Sequence, residues 1–302
     1  MDFLKTFQQF TQAHIDHKKQ LVVLEECQEQ TYKALSLLDF NKDGKYTLLP
    51  KIALYAIGSN INDLNVGILS CLKASCYSSA EALARCSLEN AINLILIVND
   101  VTTNRSRSLL IHYLSQTKKR ADHWVTYAKN DSDPKGLERA EAFVEQVAMM
   151  KHMFKQLDSS RKVPGWPDAR NRFISVGMER LYHILFAPAS DSIHGFSEDV
   201  FNQTLIELAQ DDAVTKNAAH TATRAEKISF AYYLAANSVA IFCEAAGQLA
   251  SRVNRPDVEE MISVYAEKIL GVISEHESVT DFYFESRPDL PFTGSDTGNI
   301  PS

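Results

Sequence analysis

Two charged residues on one predicted helix and a histidine in a distant turn have the chemistry for anion binding and proton transfer. Arg85 and Glu89 are four residues apart, so they share a helix face and can form an ion pair. His194 lies in a predicted turn, residues 190–195, after Pro188 ends the preceding helix. Its imidazole is suited to general acid–base catalysis. A structural ion pair and a turn-capping histidine are the alternative interpretations.

The predicted helix over residues 104–129 is strongly basic, with six Lys and Arg residues and one acidic residue. Arg107, Lys118 and Lys129 recur every eleven residues, which is about three helical turns, so they line one stripe. Such a stripe can hold phosphates, and we take Arg105, Arg107 and Lys118 as candidate RNA-binding residues. A solvated helix face explains the same pattern.

The sequence predicts no metal site and no cofactor. Residues 39–44 copy the first half of an EF-hand loop, but the twelfth position of that loop, normally a bidentate Glu, is Pro50. A turn between helices is the better interpretation. His14 and His17 have no Cys or Glu partner at ligand spacing, and we expect both to face solvent. The five cysteines contain no Cys-x-x-Cys pair and are predicted to be buried free thiols.

Composition indicates a globular protein: 45% of the 302 residues are hydrophobic and 23% are charged. The net charge of −7 gives no overall attraction to nucleic acid or to an anionic membrane. The most apolar stretch, residues 91–98, is far shorter than the ~18–20 residues of a membrane span. The N-terminal residues do not have the pattern of a signal peptide. We therefore expect a cytoplasmic protein without membrane contact.

Apolar residues recur at three- and four-residue steps, and Gly and Pro are scarce, which predicts an all-α multi-helix bundle of long amphipathic helices. The helix that holds Arg85 is predicted to open with a capping box formed by Ser78 and Glu81. The chain divides into an N-terminal long helix and loop (1–50), a helical core domain (51–277) and a disordered C-terminal tail (278–302). Helices are predicted over residues 2–38, 52–72, 79–99, 104–129, 134–158, 168–186, 198–209, 222–253 and 256–276.

Two short motifs resemble a known bacterial family. Residues 84–94, with Arg85 and Glu89, resemble the first signature of the family catalogued as domain of unknown function 5677. The likeness spans about residues 50–240. The family's second signature is similar to Trp166, Gly177, Tyr182, Ser190, His194 and Gly195.

This resemblance implies a helical fold that is distantly similar to HEPN (higher eukaryotes and prokaryotes nucleotide-binding) proteins, with roles in phage defence or toxin–antitoxin systems. Arg107 and His112 also have the Arg-x₄-His spacing of many HEPN ribonucleases, although chance gives about one such match in a chain of this composition. No Arg stands four to six residues before His194, so Arg85 is the candidate to supply the guanidinium there.

Two functions follow as expectations. The first is a metal-independent endoribonuclease, in which His194 transfers the proton, Arg85 stabilises the phosphorane, Glu89 orients Arg85 and Ser190 hydrogen-bonds the phosphate or His194. The second is a non-enzymatic helical interaction or scaffold protein, in which the same residues fix helix packing or bind a partner. RNA, a protein partner and a second copy of the chain are the candidate partners.

Overall fold

The computed structural model describes residues 15–39, 46–100, 102, 104–157, 163–190, 197–209 and 212–285, and this part of the chain is helical with no strand. The predicted all-α fold is confirmed. One helix, over residues 179–189, is built from three consecutive segments, the second of which is a π-helical turn. The helices are α1 (His17–Ser36), α2 (Leu48–Lys73), α3 (Tyr77–Val98), α4 (Asn104–Asn130), α5 (Pro134–Leu157), α6 (Ala169–Ser175), α7 (Glu179–Leu181, Tyr182–Phe186 and Ala187–Ala189), α8 (Ser197–Ala209), α9 (Ala213–Arg252) and α10 (Pro256–Glu285).

Helix α9 is the central helix of the bundle and contacts α1, α2, α3 and α10. Many of its buried side chains are small, among them Ala231, Ala235 and Ala245, and they let neighbouring helices approach closely. Phe242 is also fully buried on this helix. The length and composition of α9 would allow it to cross a membrane, but 67% of its apolar window is buried inside the protein, as expected for a core helix.

Helix α1 shares the hydrophobic core with the rest of the bundle. Leu24 and Cys27 are fully buried in that core, and Thr31 Oγ1 lies 2.8 Å from Cys243 Sγ on α9. Helix α1 thus packs in the same hydrophobic core as the helices that follow residue 50.

Helix α1 begins at His17, so the predicted single helix over residues 2–38 is wrong at this point. Asp16 is the N-cap, and its carboxylate accepts a hydrogen bond from the backbone N–H of Lys19 at 3.1 Å. His17 is half-buried against Tyr232, with ring centroids 4.6 Å apart, rather than facing solvent. His14 lies outside the described residues.

Helix α2 begins at Leu48, four residues before the predicted start, and carries Pro50 in its first turn. A proline fits there because the first N–H groups of a helix have no intrahelical partner. The rest of the loop that resembles an EF-hand, residues 40–45, lies outside the described residues.

Helix α3 begins at Tyr77, and its N-cap residue, Cys76, makes no side-chain capping hydrogen bond. The predicted capping box is therefore wrong, and Glu81 is instead buried. The prediction of buried thiols holds for Cys27 and Cys243, whereas Cys76 is exposed.

Helix α7 continues through Pro188, although the sequence predicts one helix over residues 168–186 that stops before it. The predicted helix is interrupted earlier, after α6, at Gly177. Its φ of +76° is one that glycine adopts without strain. In the π-helical turn, the N–H of Ala187 donates to the carbonyl of Tyr182, five residues earlier. This wider turn directly precedes Pro188 and accommodates a residue that has no N–H to donate.

The two longest helices both exceed their predicted bounds. Helix α9 begins nine residues early, at Ala213, because the carboxylate of Asp212 caps it by accepting from the N–H of Thr215 at 2.8 Å. Helix α10 continues nine residues past the predicted end, so residues 278–285 are helical rather than part of a tail. The remainder of the predicted tail, residues 286–302, lies outside the described residues.

Helices α4 and α5 pack mainly on each other as an antiparallel hairpin. The rings of Trp124 and Phe143 meet between them at 6.1 Å. The hairpin joins the bundle through the beginning of α4, where Ser106 and Ser108 are buried and Leu109 packs against the main core. One face of α4 thus passes close to α3, which carries Arg85 and Glu89.

Candidate functional site

Glu89 joins two arginines that come from different helices. Arg85, one turn earlier on α3, donates from Nη1 to Glu89 Oε2, so the predicted pairing is present. Arg172 on α6 donates from Nη2 to Glu89 Oε1 at 2.5 Å and from Nη1 to Asn93 Oδ1 at 3.0 Å. The carboxylate therefore ties α6 to α3.

The Arg85–Glu89–Arg172 network is mostly withdrawn from water. The side chains of Arg85, Arg172 and Glu89 are 15%, 9% and 29% exposed. Burial by itself raises the pKa of Glu89, but the charges and hydrogen bonds of Arg172 and Arg85 outweigh it and hold that pKa below its ordinary value. Glu89 is therefore ionised at neutral pH, and the three groups together carry one net positive charge.

Helix α7 fixes the position of Arg85. The guanidinium carbon of Arg85 lies 3.9 Å from the centroid of the Phe186 ring, which is a cation–π contact. Arg85 Nε donates to Ser190 Oγ at 3.4 Å, and this hydroxyl donates to the carbonyl of Phe186 at 2.9 Å. The structure thus brings together three of the four predicted catalytic residues, Arg85, Glu89 and Ser190. The fourth, His194, lies outside the described residues.

A cleft of about 440 Å³ opens between α4 and the segment that leads into α6. Glu89 and Arg172 form part of its wall, and the guanidinium carbon of Arg172 lies 5.7 Å from the centroid of the Trp166 ring. Helix α4 supplies an exposed imidazole, that of His112. The complete lining is Glu89, Leu109, His112, Tyr113, Gln116, Trp166, Pro167, Asp168 and Arg172.

The cleft-lining residues of α4 are spaced by three and four positions, and this spacing decides which basic residues share their face. A helix turns by about 100° per residue, so Arg105 projects on the cleft side, one turn before Leu109. Arg107 and Lys118 lie about 170° away, on the far side of α4. They form a common stripe, as the sequence predicts, but this stripe does not face the cleft. Lys118 also pairs with Asp122 at 2.6 Å.

Sequence reasoning missed the role of Arg172, which lies 83 residues from Glu89 along the chain. It identified His112 only through its spacing from Arg107, and Trp166 only as part of a family signature. One local signal was available. The helix start predicted at residue 168 agrees with the structure, where Asp168 caps α6 by accepting from the backbone N–H of Asn171 at 2.9 Å, and a basic residue in the first turn of that helix could have been examined as a partner for Glu89.

Within the described residues, no group of three or more His, Cys, Asp and Glu side chains is placed to hold a metal ion. The chemistry available at the cleft is that of arginine, histidine, two carboxylates and aromatic rings. These groups can bind an anion and move a proton.

A second polar cluster lies between α1 and α10. His276, which is 6% exposed, has Nε2 at 3.1 Å from Gln20 Oε1, and Gln20 Nε2 donates to Glu275 Oε2 at 2.8 Å. The rings of Tyr233 and His17 lie 5.6 and 6.1 Å from that of His276. Burial, helped by the nearby His17, lowers the pKa of His276 to about 4. This histidine is therefore neutral at physiological pH, and its contacts join two core helices.

The fold and the site define a class: an all-helical bundle in which a charged network, centred on one glutamate, borders a surface cleft. The chain belongs to a family of unknown function (DUF5677), whose model matches residues 52–211. The matched region includes Arg85, Glu89, Trp166 and Arg172, whereas α1, α9 and α10 lie outside it. The comparisons with curated proteins and with solved structures gave no match.

Proposed function

We propose that this chain is a HEPN-like cytoplasmic RNA-binding protein that cleaves RNA without a metal ion, with a role in phage defence or in a toxin–antitoxin system. One observation carries the proposal: His112 lines the same cleft as the Glu89–Arg172 pair. A proton-transfer group and an anion-binding group thus border one solvent-accessible space.

The cleavage would proceed through the RNA's own 2′-hydroxyl group. A base removes the 2′-OH proton, the 2′-oxygen attacks phosphorus, the bond from phosphorus to the 5′-oxygen breaks, and an acid protonates that leaving oxygen. The products are a 2′,3′-cyclic phosphate and a 5′-hydroxyl. We assign one of these proton transfers to His112 and stabilisation of the phosphorane charge to Arg172.

The remaining members of the network hold the two arginine side chains in position. Glu89 holds Arg172 in place with a hydrogen bond of 2.5 Å, and Ser190 holds Arg85 through Nε. Glu89 and Ser190 are therefore positioning residues in this proposal. Arg105, on the cleft face of α4, would contact a neighbouring phosphate, which adds salt-dependent affinity.

The test is an RNA cleavage assay with the full chain in the presence of EDTA, with product ends identified by mass spectrometry. We expect cleavage that leaves 2′,3′-cyclic phosphate. His112→Ala should lower the rate by about 100-fold or more, which is the usual contribution of a general acid or base. His123→Ala is the matched control, because His123 is an exposed histidine on the same helix and does not line the cleft.

His194→Ala belongs in the same assay, because the sequence-based prediction gives the proton transfer to His194. Loss of activity in His112→Ala with an unaltered melting temperature supports the cleft as the site. Full activity of His112→Ala contradicts it. If His194→Ala alone is inactive, the assignment from sequence is correct and the one made from the cleft is wrong.

A scaffold function is the second candidate, and one observation favours it. The Glu89 network is directed inwards: its hydrogen bonds join α3 to α6 and α7, next to the apolar contact between Phe173 and Phe186, whose ring centroids are 5.2 Å apart. In this function, the network fixes a surface that binds a protein partner or a second copy of the chain. Absence of RNA cleavage by the wild-type protein, together with a large loss of stability in Glu89→Gln, would favour the scaffold.

A further inference from the structure

We propose that the cleft between α4 and Trp166 binds one unstacked nucleobase of a nucleotide unit, with the indole of Trp166 as the stacking platform. This inference rests on the proposed function, since it names the part of an RNA substrate that the cleft would take. It concerns binding rather than cleavage, so the two can fail separately.

The size of the cleft suits such a ligand. Its volume of about 440 Å³ falls within the roughly 300–1,000 Å³ of typical small-ligand sites. The cleft lies between the side of a helix and a short segment without regular secondary structure, residues 163–168. We expect a space of this volume to accept a single base and not the stacked pairs of a duplex.

The aromatic side chains supply a stacking surface. Trp166 is half-buried, and the guanidinium of Arg172 lies against its ring at 5.7 Å. Arg172 itself donates hydrogen bonds to Glu89 and Asn93. The indole therefore packs next to a side chain whose position is fixed. On α4, the rings of His112 and Tyr113 also line the cleft, and the side chain of Tyr113 is exposed. Every nucleobase has a flat π face, so this arrangement binds bases with little sequence preference.

Among the polar groups of the cleft, the two carboxylates accept hydrogen bonds from other protein groups, whereas one side-chain amide is exposed. The carboxylate of Glu89 accepts from two arginines, and that of Asp168 accepts from Asn171 at 2.9 Å through each oxygen, so both are engaged within the protein. Gln116 contributes an exposed amide, with a donor and an acceptor that match the edge of a base.

The phosphate group of the same nucleotide would have cationic partners of its own. Arg172 contributes charge from the cleft wall, and Arg105 lies on the same face of α4, about two turns from His112. The base and the phosphate of one nucleotide would therefore each meet complementary groups.

Trp166 can report on its own occupancy, because the chain has only two tryptophans, Trp166 and Trp124. In Trp124→Phe, all tryptophan emission comes from the cleft. We expect AMP, GMP, CMP and UMP to quench this emission in a saturable way, whereas ribose 5-phosphate, which has no base, should not. Equal effects of ribose 5-phosphate and AMP, or no saturable quenching by any nucleotide, would overturn the proposal.

Variants of Trp166 separate stacking from folding. Trp166→Leu should weaken the binding of a fluorescein-labelled single-stranded oligoribonucleotide by about fivefold or more, whereas Trp166→Phe, which keeps a ring, should retain most of the affinity. Tyr127→Leu is the matched control, since Tyr127 is an exposed aromatic residue of α4 outside the cleft. Equal affinities of Trp166→Leu and Trp166→Phe, with unchanged melting temperatures, would contradict the stacking role.

Further binding measurements identify the source of the nucleotide and distinguish the binding proposal from the cleavage proposal. Binding of a single-stranded oligoribonucleotide at least tenfold tighter than AMP supports an RNA chain, and tighter binding of the matching duplex contradicts an unstacked base. His123→Ala, at an exposed histidine of α4 outside the cleft, should keep its affinity for AMP to within about threefold. If nucleotides bind but RNA stays intact, the cleavage proposal fails while this one stands.

Discussion

Replacing Glu89 by glutamine tests the central ion-pair network most directly. The substitution keeps the size of the side chain but removes its negative charge, so the guanidinium groups of Arg85 and Arg172 lose their shared counter-charge. Their side chains are only 15% and 9% exposed, and water therefore cannot readily replace the carboxylate.

Removing one partner of a buried ion pair costs about 3–5 kcal/mol of folding free energy. Glu89 keeps 29% of its side chain exposed, so we expect a value near the lower end, about 3 kcal/mol. For a chain of this size, that loss corresponds to a fall in melting temperature of roughly 5–10 °C. The double variant with Arg172→Met should be more stable than the sum of the two single losses predicts, because it removes one of the stranded charges.

The assay is urea unfolding at pH 7, followed by circular dichroism. The matched control is Glu29→Gln, because Glu29 and Lys33 form an i,i+4 pair of similar length on α1 with exposed fractions of 63% and 56%. That variant should lose less than about 0.5 kcal/mol. A loss below about 1 kcal/mol in Glu89→Gln, or equal losses in the two variants, would refute the view that Glu89 balances two buried charges.

Two further predictions concern other parts of the bundle. The folded pKa of His276, about 4, lies below its unfolded value of about 6.5, so the unfolded state binds more protons between these pH values and stability falls by up to about 3 kcal/mol as pH drops from 6.5 to 4. The free energy of unfolding, measured from unfolding curves at several pH values in this range, should depend less on pH in His276→Gln. An unchanged pH dependence would contradict the assignment of this effect to His276. Phe242→Ala, at the centre of α9, should cost about 3–5 kcal/mol, whereas Phe201→Ala, at a side chain that is 62% exposed, should cost under about 0.5 kcal/mol in the same measurement. Similar losses at the two phenylalanines would show that α9 is not the core of the bundle.

The fold class and several helix bounds were accessible from sequence because they depend on local patterns. The prediction of residues 104–129 differs from α4 by one residue, and Pro134 marks the start of α5 as expected for a proline in a first helical turn. The Arg85–Glu89 pair was accessible for the same reason, since helix geometry alone brings residues four apart onto one face.

The features that sequence reasoning missed depend on contacts between distant segments. The π-helical turn before Pro188 packs the rings of Tyr182 and Phe186 at 5.6 Å and brings Phe186 to 5.2 Å from Phe173, and no local pattern reports such a cluster. The contribution of Arg172 to the site is of the same kind, because α6 must first dock on α3. Local periodicity also identified the basic stripe of α4 but could not show which side of that helix borders a cleft.

The partners of α1 have a consequence for how this protein emerges from the ribosome. Thr31 contacts Cys243, and Gln20 contacts His276, so α1 packs against α9 and α10, which come much later in the described part of the chain. About 250 further residues must be added after α1 before α10 is complete, which at about 5–20 residues per second takes roughly 10–50 s. Until α9 emerges, the apolar face of α1 lacks its final neighbours on both α9 and α10. The nascent chain therefore presents an early binding site for chaperones, and the core around α1 is complete only after α9 and α10 have been synthesised.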